Sequence, residues 1–83
     1  MTYTYNRKGI TRKVLSEIVR GLGAKDELKI LKWQIRIIME ADAVYPYIVY
    51  MPKGCPFFCT LHQAISLVHH SIRKAIREGK ETL

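Results

Sequence analysis

The last third of the chain constrains it most. Leu61, Ala64, Ile65, Val68, Ile72, Ala75 and Ile76 recur at three- and four-residue spacing, and Gly79 follows. This pattern predicts one long helix with a continuous apolar face, begun by Thr60 or Cys59 and closed at the glycine. Such a face has to be covered. A chain of 83 residues has room for one domain, 1–83, and one modest core. The cover therefore comes from the remaining apolar segments or from a second copy.

Those segments are read in order. Thr2 to Tyr5 alternates Thr and Tyr as a short strand or arm, and Asn6 to Gly9 breaks it. Thr11 suits an N-cap, and Val14, Leu15, Ile18, Val19 and Leu22 make a stripe for a helix reaching about Leu22. Gly21 and Gly23 offer left-handed backbone to end it. From Leu28 to Ala43 a helix and a strand compete. The helix has length, an Asp26 cap with Glu27 behind it, and the Met39–Ala43 ending; the strand has the β-branched and aromatic content. The expectation is set on the helix. Val44 to Met51 reads as a strand, with Pro46 marking it as an edge, and Pro56 to Thr60 returns after a Pro52–Gly54 turn. The expected fold is thus α+β: two N-terminal helices, a short β-strand or hairpin, and the long C-terminal amphipathic helix.

Composition is globular, with 48% apolar and 25% charged residues, yet the net charge is +7. The excess is uneven. Arg7, Lys8, Arg12, Lys13 and Arg20 face Glu17 alone in the first stretch. Arg73, Lys74, Arg77 and Lys80 outnumber Glu78 and Glu81 in the last. Between them lies a nearly neutral, apolar middle. Termini that fold together would join these clusters into one basic face, which suits a polyanion.

Other classes are excluded by what is missing. The longest apolar run, Ala43 to Met51, is too short to span a bilayer, and no apolar leader precedes the first charges. A cytoplasmic protein without a membrane partner is expected. Cys55, Cys59 and His62 have metal-like spacing, but His69 lies too far along the same helix to complete a four-ligand zinc site. Two thiols beside Phe57 and Phe58 are read first as small hydrophobes, so no metal and no cofactor are expected. Cys59 with His62 lacks an orienting third group, and no phosphate loop or paired carboxylate appears. No enzyme is expected.

Two function classes follow. The first is a nucleic-acid-binding or regulatory module, dimeric and directed at duplex DNA. The succession of two helices, a hairpin with a Pro-Lys-Gly tip and a long helix resembles the general layout of winged-helix domains. That layout would give Lys29, Lys32 and Arg36 to a groove and Lys53 to the wing tip. Arg7, Lys8, Arg12 and Lys13 with Arg73, Lys74 and Arg77 would hold phosphates. A helix-turn-helix reading of Gln63 to Lys80 fails at Ser66-Leu67-Val68, which holds no glycine for the turn. The second class is a protein-interaction module, an inhibitor or adaptor, using Trp33, Tyr45, Tyr47, Tyr50, Phe57 and Phe58. A homodimer seamed along the Leu61 to Ile76 stripe is expected with either.

Overall fold

A computed structural model describes residues 1–83. Strand β1 (Thr2–Tyr5) leads into helix α1 (Arg12–Arg20), and β2 (Glu27–Ile30) returns parallel to β1. A 3₁₀ turn at Leu31–Trp33 joins β2 to β3 (Ile35–Met39). Then come β4 (Tyr47–Tyr50), β5 (Phe57–Cys59) and helix α2 (Leu61–Arg77). The five strands lie in chain order, antiparallel from β2 onward.

Sheet, not helix, dominates the N-terminal half, so the expectation of two N-terminal helices and a winged-helix layout is overturned. The segment that decided it is Leu28 to Met39. Leu28, Ile30, Ile35 and Ile37 are all buried on one face of a hairpin, and Gln34 turns the chain at φ +55°. The alternating β-branched residues pack well on a pleated surface, and pairing to β1 and β4 outweighs the helix-forming ending. Asp26 accordingly caps no helix: its carboxylate accepts the Gly23 N–H at 2.8 Å and holds the α1–β2 turn. The left-handed residue in that turn is Lys25, at φ +65°, while Gly21 is right-handed. Pro46 does not mark an edge either, because it stands just before β4, which is interior to the sheet.

The expectations of a β1 strand, an α1 helix capped by Thr11, a β5 return and a long α2 agree with the structure. Thr60 and Gln63 form a reciprocal cap at the start of α2, each side chain accepting the other's backbone N–H. Thr60→Ala is expected to cost about 1 kcal/mol and lower the melting temperature by roughly 4–8 °C, read by thermal circular dichroism.

Both helices lie on one face of the sheet. Leu15 and Val19 from α1 and Ala64, Ile65, Val68, Ile72 and Ala75 from α2 join the strand residues in one core. The apolar stripe of α2 is therefore covered within a single chain, and only Ile76 of it is exposed. That seam is not free for a dimer. The second sheet face carries no helix, and no helix is long and apolar enough to cross a membrane.

Candidate nucleic-acid interface

The β1–α1 loop is fixed from three sides. The Tyr5 hydroxyl donates to the Gly9 carbonyl at 2.6 Å, closing the loop on itself. The indole Nε1 of buried Trp33 donates to the Lys8 carbonyl, and the Lys8 ammonium pairs with Glu81 at 3.2 Å. Ile10 sinks into the core just before the Thr11 cap. These contacts hold Arg7 and Arg12 against the second half of α2.

There they meet Arg73 and Arg77. A shallow groove between the loop, α1 and α2 is lined by Arg7, Arg12, Arg73 and Arg77 with Tyr5, Ile10, His69 and Ile76. An adjoining depression continues it past Ser66, Leu67 and His70. Arg12 crosses between the helices and donates to the Ser66 hydroxyl at 3.0 Å. None of the four guanidinium groups has a carboxylate within ion-pair distance. Each also keeps most of its five donors in a fork suited to phosphate oxygens. The two terminal basic clusters of the sequence thus converge.

His69 sits half-buried among them. Burial pushes its pKa below the usual 6.5, and the cations Arg73 and Arg12, with His70 beside it, push the same way. It faces Arg73 and His70 on its own helix and Arg12 across the groove, with no acid to favour the imidazolium. Since the folded state disfavours its proton, His69 contributes stability fully above the unfolded pKa, and that stability declines as pH falls through the lowered value.

The other expected site residues lie elsewhere. Lys13 is exposed on α1 outside the groove lining, and Lys74 points to the side of α2 shared with Glu78 and Lys80. Lys8 is paired. Lys29 and Arg36 stand on the open sheet face, with Arg36 bound to Glu27 at 2.6 Å. Lys32 and Lys53 occupy the β2–β3 and β4–β5 connections. The recognition-helix role of Lys29, Lys32 and Arg36 disappears with the helix that was to carry it, and the wing-tip role of Lys53 goes with the winged-helix layout, although its hairpin forms. The residues missed were Ser66, His69 and His70. Their signal was present: positions 66, 69, 70, 73 and 77 follow one stripe at helical spacing.

Cys59 is buried against the core and burial raises its pKa, whereas Cys55 and His62 are exposed, and the thiols are free. No group of three or more His, Cys, Asp or Glu side chains is placed to hold a metal ion. Compared with known proteins, the chain matches no family, no curated sequence and no solved structure.

Proposed function

We propose that this protein is a non-catalytic nucleic-acid-binding module that grips the phosphate backbone in the groove between the β1–α1 loop, α1 and α2. The observation that carries the reading is the convergence of Arg7, Arg12, Arg73 and Arg77 without an acidic partner. Uncompensated like charges held together repel, and a chain of phosphates is the ligand that relieves this at every contact. The groove presents no base-reading helix, so binding is expected to tolerate sequence.

The test is a binding titration against duplex DNA over a range of salt. Four phosphate contacts give a log–log slope of roughly −3.5. No affinity at about 50 mM salt, or a slope near zero, removes the phosphate reading and favours protein docking instead.

His69 adds a pH dependence. A bound phosphate favours the imidazolium that the free groove disfavours, so binding takes up protons and affinity rises as pH falls through the range around 6.5. A gain of roughly threefold or more between about pH 7.5 and 5.5 is expected, and His69→Gln is expected to lose most of it. Fluorescence anisotropy at fixed ionic strength measures it.

A further inference from the structure

The sheet face turned away from the helices has its own chemistry. Strand register sets Ile38, Ile48 and Phe58 in one row across β3, β4 and β5, and Lys29, Arg36 and Tyr50 in the next row across β2, β3 and β4. Phe58 is 63% exposed on this face. The Arg36 guanidinium lies 5.1 Å from the centre of the Tyr50 ring. The one acid in these rows, Glu27, is already bound by Arg36, and Lys29 has no carboxylate partner.

We infer that this open face is a second binding surface, separate from the arginine groove, that stacks unpaired nucleobases of single-stranded nucleic acid. Its two aromatic rings are diagonal neighbours on adjacent strands, roughly 7–8 Å apart at the backbone, which leaves each ring available to a different base. Tyr50 with the guanidinium over it forms a cation–aromatic layer, and Phe58 offers a bare ring. Lys29 and Arg36 stand in the same row as Tyr50, and Lys32 and Lys53 lie in the connections that leave that end of the sheet. Flanking cations beside aromatic platforms meet both halves of a nucleotide, the phosphate and the base. A protein partner is less well matched, because the centre of a protein interface is depleted of charge and here the cations stand within the aromatic rows.

The probes are an oligothymidylate of about 12 nucleotides, an abasic phosphodiester of equal length, and a hairpin duplex. The base-bearing single strand is expected to bind about tenfold or more tighter than the abasic one. Phe58→Ala is expected to weaken oligothymidylate by about 5- to 100-fold while leaving duplex affinity unchanged. Phe58→Leu, which keeps apolar bulk without a π-face, is expected to weaken it likewise, and Phe58→Trp to retain it. Phe58 is exposed, so these variants keep the fold, and circular dichroism verifies this. Equal binding of the base-bearing and abasic strands, or oligothymidylate affinity unchanged in Phe58→Ala, overturns the inference. So does a dimeric mass in sedimentation that Phe58→Ala abolishes, which would assign the face to a second copy. Duplex binding that depends on Arg73 and Arg77, together with oligothymidylate affinity unchanged in Phe58→Ala, would leave the groove standing and overturn only the stacking face.

Discussion

Replacing Arg12, Arg73 and Arg77 together by alanine is expected to lower affinity for duplex DNA by about 10²- to 10³-fold near 0.1 M salt, and to flatten the salt slope by roughly 2.7 units. Each guanidinium is assigned one phosphate, and each phosphate neutralised releases counterions worth about 0.9 of slope, so the loss should be equal for all sequences. Stability should move the other way from binding. All three side chains are exposed, none is in an ion pair, and Arg12 makes the one hydrogen bond to Ser66. Taking them away relieves repulsion in the groove, so the melting temperature should stay level or rise. Neutralising Arg20, at the opposite end of α1 and so roughly 12 Å from Arg12 along the helix axis, together with Lys25 in the turn beyond it, should change the slope by less than one unit. A triple variant with wild-type affinity and slope would remove the groove as the phosphate site.

How far the sequence reached depends on which contacts each element uses. Thr11, Thr60, Gly79 and the two helical stripes are local signals, and both helices lie where those signals put them. Leu28 to Met39 was misread because its helical and strand periodicities are nearly equal over a short span. The choice is made by partners distant in sequence, β1 before it and β4 after it. The groove was half legible. Charge clustering identified Arg7, Arg12, Arg73 and Arg77, but Lys8 and Lys74 share those clusters and are excluded by geometry alone, one paired to Glu81 and one turned away. The open sheet face was hidden completely, since Lys29, Arg36, Tyr50 and Phe58 become neighbours only once the strands pair.

Trp33 ties the core to the groove, and its removal is expected to have the largest effect on the fold. It is 2% exposed beneath the β2–β3 turn, and its indole N–H donates to the Lys8 carbonyl of the loop that carries Arg7. Trp33→Ala deletes a full aromatic side chain from a packed site and is expected to cost about 3–5 kcal/mol. A domain of this size holds only about 4–12 kcal/mol in total, so the variant should unfold at much lower urea, with a melting temperature reduced by well over 10 °C. Trp33→Phe separates two contributions. It keeps most of the apolar filling but cannot donate, which frees the loop at Lys8 while the sheet remains. Its stability loss should be the smaller of the two, and its stability should still keep the chain folded at 25 °C. Affinity for duplex DNA should nonetheless fall by a few-fold, because Arg7 then has to be ordered on binding. Urea denaturation and anisotropy on the same samples check both. A Trp33→Phe variant that binds as wild type would show that the loop needs no anchor beyond Tyr5 and Ile10.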